Sequence, residues 1–116
     1  MTGPGGGADL LDAWLAGGAA PPRGVIKEAV KESLAALAER APGRSVEVRI
    51  PPYAAIQCIE GPRHTRGTPP NIVETDARTW LALATGRLNW TDAVGSGTVS
   101  ASGSRAPEVG ALLPLR

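Results

Sequence analysis

The sequence of 116 residues predicts an α/β fold of the α+β type, an antiparallel or mixed sheet of about four strands covered by helices on one face. Three observations lead there. A long amphipathic stretch from Gly24 to Ala41 repeats its apolar residues at three- and four-residue steps. Short segments around Val46, Ala54, Ile72 and Thr98 alternate, or run apolar, as strands do. Gly and Pro separate these segments, and no sustained β-α-β alternation argues for a Rossmann-type parallel sheet.

Residues 1–23 read as a flexible Gly/Pro-rich arm and residues 24–116 as one domain. The opening GPGGG has nothing apolar to bury against the entropy of ordering, and it lacks the preceding strand or Lys-Ser/Thr pair of a phosphate loop. Asp9 to Ala16 can form two helical turns with Leu10, Leu11, Trp14 and Leu15 on a broad apolar side, ended by Gly17 and Gly18. Such a segment either docks on its own domain or serves as an arm for a partner subunit. Pro21 and Pro22 mark the start of the domain. In the long helix, Ile26, Val30, Leu34, Leu37, Ala38 and Ala41 form the packing face. Lys27, Glu28, Lys31, Glu32 and Glu39 lie largely opposite and are expected to form ordinary helix-surface pairs.

Val46, Val48 and Ile50 alternate with Glu47 and Arg49, one row inward and one outward on a half-covered sheet. Pro51 and Pro52 interrupt the ladder. The next strand, Ala54 to Glu60, sets Ile56 and Cys58 on one face and Ala55, Gln57 and Ile59 on the other. Ile72 and Val73 form a short buried strand. Asp76 then offers its carboxylate to the free N–H groups of a helix starting at Ala77, which Gly86 stops. Asn89 with Asp92 resembles a capping box for a shorter helix bearing Trp90, Ala93 and Val94. Thr98 to Ser102 alternates as a half-buried strand.

The wording LATGRLNWTDAVGSGTVSASGSR inside this last stretch resembles the C-terminal half of the sterol-carrier-protein fold, in particular the short actinobacterial type called bacterial sterol carrier protein orthologues. The shared positions are Leu83, Gly86, Leu88, Ala93, Val94, Gly97, Val99 and Gly103, with the tail Leu112, Leu113, Pro114 and Leu115. The likeness covers residues 24–116 and contains no catalytic element. It implies non-enzymatic binding of a sterol, fatty acid or acyl-CoA in a tunnel between sheet and helices. The matching apolar wall would be Ile56, Trp80, Leu83, Leu88, Trp90, Val94, Val99 and Leu113, joined by Ile59, Leu81 and Leu112. By their apolar character alone, these residues are equally the domain's core, and a hole large enough for a sterol would cost a chain without Phe much of its burial.

Formal net charge is +1 with acids and bases interspersed, so nucleic acid is not an expected partner. No apolar run is long enough for stable membrane insertion, and the N-terminal residues lack a secretory pattern, so a cytoplasmic location is expected. One Cys excludes an internal disulfide and, beside one His, leaves no zinc set. No cofactor is implied.

The connection EGPRHTRGTPP gathers Arg63, His64 and Arg66 between two strands. Two guanidiniums and turn N–H groups could receive a phosphate or carboxylate; a solvated loop explains the same composition. Cys58 and His64 lie on different elements and do not form a nucleophile pair. Serines 96, 100, 102 and 104 read as turn and outward strand positions. The expected function is therefore a non-enzymatic lipid, sterol or acyl-chain module. Anion or phosphorylated-metabolite binding through Arg63, His64 and Arg66, or a protein-interaction role as a hetero- or homo-oligomer, are the alternatives.

Overall fold

A computed structural model describes residues 6–62 and 71–115. In chain order the elements are α1 (Gly6–Leu15), α2 (Arg23–Arg40), β1 (Val46–Ile50), β2 (Ala54–Cys58), β3 (Ile72–Thr75), α3 (Ala77–Ala84), α4 (Trp90–Gly95), β4 (Val99–Ser102) and α5 (Glu108–Ala111). The strands form one sheet in the order β2-β1-β3-β4. Its outer pairs, β2 with β1 and β3 with β4, are antiparallel, whereas the central pair β1 and β3 is parallel. The sheet is therefore mixed. After the β1–β2 hairpin the chain returns to the opposite side of β1, so β3 enters beside it in the same direction.

The elements follow from local chemistry. The carbonyl of Pro22 accepts from the N–H groups of Val25 and Ile26, and Ile26, Val30, Leu34 and Leu37 give α2 its buried stripe. Asp76 accepts from the Thr79 N–H at 2.9 Å and Asn89 from the Asp92 N–H at 3.2 Å, which fixes the starts of α3 and α4. The expected ion pairs of Glu28 and Glu32 along α2 are not made. Ion pairs among the described residues join Arg49 to Glu47 and Glu74, Arg87 to Asp12, and Arg105 to Glu108. The Arg105 hydrogen bond also holds the Glu108 carboxyl below its ordinary range.

Val46, Val48 and Ile50 are fully buried, and Cys58, Ile56 and Ala54 pair with them on the same face. Val73, Thr75, Val99 and Ala101 complete the inner layer. Over it lie Leu34, Leu37, Trp80 and Leu83, all at 1% exposure or less. On the outer face, the Arg49 guanidinium sits between the carboxylates of Glu47 at 3.1 Å and Glu74 at 3.9 Å.

Ile59 departs from the alternation expected of its strand. β2 ends at Cys58, and Ile59 takes a φ of 68°, which turns its side chain into the core rather than outward with Gln57. A β-branched residue there costs roughly 1–3 kcal/mol. Its neighbours hold it. The Ile59 N–H donates to the Ala41 carbonyl at 2.7 Å, and its own carbonyl accepts from the Ser45 N–H at 3.1 Å and the Ser45 hydroxyl at 2.6 Å. Buried Asn71 extends the knot. Its Nδ2 donates to the Ser45 carbonyl at 3.0 Å and its Oδ1 accepts from the Arg105 N–H at 2.9 Å. Arg105 in turn donates to the Glu60 carbonyl at 2.8 Å. The four chain segments meeting at this end of the sheet are thus joined through satisfied buried polar groups.

Candidate functional site

The layer between sheet and helices, where a tunnel was expected, holds Trp80 at 0% and Val99 at 2% exposure. The Trp80 indole N–H donates to Ser33 Oγ at 2.8 Å, so its one polar atom is satisfied inside the core. These two residues of the expected wall line neither of the two clefts described next.

The larger cleft, about 720 Å³, opens between α1 and the paired helices α2 and α3. α1 contributes Leu11 and Leu15. α2 contributes Val25, Ala29 and Ala36, whose small side chains flank the core stripe and leave room beside it. Leu81 and Ala84 come from α3, and Leu115 closes one end. The polar groups lining it are Asp12, Glu28, Glu32, Ser33 and Thr85. Thr85 turns its hydroxyl to the Leu81 carbonyl at 2.7 Å and Ser33 to the Val30 carbonyl at 2.9 Å.

The α1 wall and the tail are both tied to the domain. Arg87 reaches Asp12 at 2.9 Å and Arg78 donates to the Trp14 carbonyl at 3.3 Å, while Leu11, Trp14 and Leu15 pack against the core. α1 thus docks on its own chain. At the other end, the Arg40 guanidinium donates to the carbonyls of Leu112 at 2.9 Å, Pro114 at 3.1 Å and Leu115 at 3.2 Å. The Leu115 N–H adds a bond to the Ala84 carbonyl at 2.9 Å. One guanidinium with five donors gathers the tail that three separate neutral groups would otherwise have to hold.

The second cleft, about 660 Å³, brings together four residues of the expected wall: Leu83, Leu88, Trp90 and Leu113. Gly110 of α5 lies flat on the Trp90 indole, where a Cβ would collide with the ring. Ile56 is half-buried on the inner sheet face opposite Val48, and Val94 is 38% exposed; neither lines either of these two clefts. The expected wall is therefore divided among the core, the second cleft and the surface. Of the larger cleft's apolar lining, Leu81 alone belongs to the wall expected from the resemblance. The amphipathic DLLDAWLA segment was the available signal for Leu11 and Leu15. Arg63, His64 and Arg66 lie outside the described residues.

Cys58 is fully buried, and burial pushes its thiol up to about 11, so it is protonated at neutral pH. Among the described residues no three His, Cys, Asp or Glu side chains group as metal ligands. No helix among them is long and apolar enough to cross a membrane.

A family model described as Bacterial SCP ortholog matches residues 22–115. The match takes in every element from α2 to α5 and leaves α1 outside it. Comparison with curated proteins finds no match.

Proposed function

Because the chain belongs to the bacterial SCP ortholog family, we propose that it is a non-enzymatic cytoplasmic module that binds an apolar, lipid-like ligand in the cleft between α1 and the α2–α3 pair. The observation that carries this reading is the cleft itself. Its volume of about 720 Å³ lies within the roughly 300–1,000 Å³ typical of small-molecule sites, and its walls are mostly aliphatic. Burial of an alkyl chain against Leu11, Leu15, Val25 and Leu81 supplies the affinity, at about 0.8 kcal/mol per buried methylene before the costs of association.

The test is titration with Nile red, a neutral apolar fluorophore. Saturable binding is expected for the unaltered chain and for Thr91→Trp, which fills the second cleft. Ala29→Trp, which fills the first, is expected to weaken it at least about tenfold, equivalent to about 1.4 kcal/mol, with unchanged circular dichroism. Loss in Thr91→Trp alone would move the site to the second cleft, and no saturable binding at all would remove the lipid-like reading.

A further inference from the structure

Resting on that reading of the cleft, we infer that α1 is a hinged lid, latched by the Asp12–Arg87 ion pair. It undocks and re-docks while the rest of the domain stays folded, and a bound ligand holds it down. The helices differ in how firmly they are built in. Every other helix buries at least one residue completely: Leu37 in α2, Trp80 in α3, Ala93 in α4 and Val109 in α5. None of residues 7–15 is buried, and Leu11, Trp14 and Leu15 are only half-buried against the core. No backbone hydrogen bond among the described residues joins α1, or the exposed residues 16–20 after it, to the rest of the chain. What holds α1 is that partial apolar contact, the half-exposed Arg87–Asp12 pair at 2.9 Å, and one bond from Arg78 to the Trp14 carbonyl at 3.3 Å.

The hinge is equally defined. Gly17 takes a φ of 110°, and the N–H groups of Gly17 and Gly18 donate back to the Trp14 and Ala13 carbonyls, so both glycines belong to the end of α1. Pro21 is buried and fixes the other side of the hinge at the start of α2. Between them Ala19 and Ala20 are exposed and make no hydrogen bond among the described residues. The far end of the cleft is built otherwise, with Leu115 held by Arg40 and by its own N–H on the Ala84 carbonyl. Elements with little burial occupy the low end of local stability. A helix of ten residues is too short to persist alone in water, so α1 unwinds when it leaves. Leu11 and Leu15 form one wall of the cleft, so the site is complete only with α1 docked, and ligand binding and docking favour each other. α1 and its hinge precede the matched residues 22–115, so the lid belongs to this chain's own N-terminal segment.

The experiment is hydrogen exchange of the full chain, read amide by amide by NMR at low salt, where closing outpaces exchange. In the free protein the α1 amides should exchange at least about tenfold faster than those of β1 and the centre of α2. Arg87→Gln should speed the α1 amides, relative to those of β1, by about 1.5-fold to fivefold, the range of an exposed ion pair. Nile red at ten times its Kd should slow the α1 amides about tenfold and leave those of α4, which does not line the cleft, unchanged. Three results overturn the inference while leaving the apolar site intact: α1 amides that exchange only together with β1 and α2, no change in Arg87→Gln, or no slowing of α1 by bound Nile red. Absence of saturable Nile red binding overturns the underlying reading and the inference together.

Discussion

The Trp80 indole N–H donates to Ser33 Oγ over 2.8 Å, which ties the largest fully buried side chain of the core to a hydroxyl lining the larger cleft. Trp80 is thereby one residue away from the cleft. Ser33→Ala leaves the buried N–H without a partner and is expected to cost about 1–3 kcal/mol in urea unfolding. Trp80→Phe adds a packing loss of its own. In the double variant the two losses should sum to less than their separate values, because the orphaned donor is gone with the indole.

Cys58 makes stability depend on alkaline pH. Its folded thiol titrates at about 11 against an ordinary value of 9.0, so between those values the unfolded chain releases a proton that the folded chain keeps. The contribution is fully present below pH 9 and is lost as pH rises through about 11. Unfolding free energy should fall across that window by roughly 2 kcal/mol from this group, and Cys58→Ala should remove that part of the slope. Chemical denaturation at stepped pH measures both.

Two glycines give opposite outcomes on substitution. Gly43 has a φ of 148°, and a Cβ there would collide with the Ile59 carbonyl, which is itself held by Ser45. Gly43→Ala should lower stability by at least about 2 kcal/mol. Gly24 in the first turn of α2 has open space around the same position. Gly24→Ala should raise the thermal midpoint, by up to about 1 kcal/mol in stability.

The caps provide a local test. Asp76→Ala removes the acceptor for the Thr79 N–H and the hydroxyl partner of Thr79 at 2.8 Å, and is expected to cost about 1 kcal/mol. Asn89→Ala, with a longer bond of 3.2 Å, should cost less. Hydrogen exchange should show faster opening of α3 and α4 respectively.

The caps at Asp76 and Asn89, the stripe of α2 and the alternation of β1 were legible because each is written in a few neighbouring residues. Strand direction is not written that way. Nothing in the residues 46–50 or 72–75 distinguishes a parallel from an antiparallel neighbour, so the mixed character of the sheet emerged only from the path of the chain. α5 was missed because its four residues follow Pro107, with no capping side chain to announce it. Ile59 was set on the wrong face because a period of two presumes extended backbone, and its positive φ breaks that premise. The cleft was illegible for a different reason: it depends on how α1 lies across α2 and α3, whereas the residues with the clearest apolar signal, Trp80 and Val99, are claimed by the interior.

The parallel seam between β1 and β3 also divides the chain into two halves that each own a complete antiparallel pair. Residues before the connection carry α1, α2 and the β1–β2 hairpin, and those after it carry β3, α3, α4, β4 and α5. Along the sheet the halves meet only through β1 against β3, and above it α2 lies on α3. The molecule is accordingly built as two complementary pieces. Separately produced fragments ending at Pro62 and beginning at Asn71 should reassociate, and neither alone has both walls of the cleft that α1 and α2 form with α3.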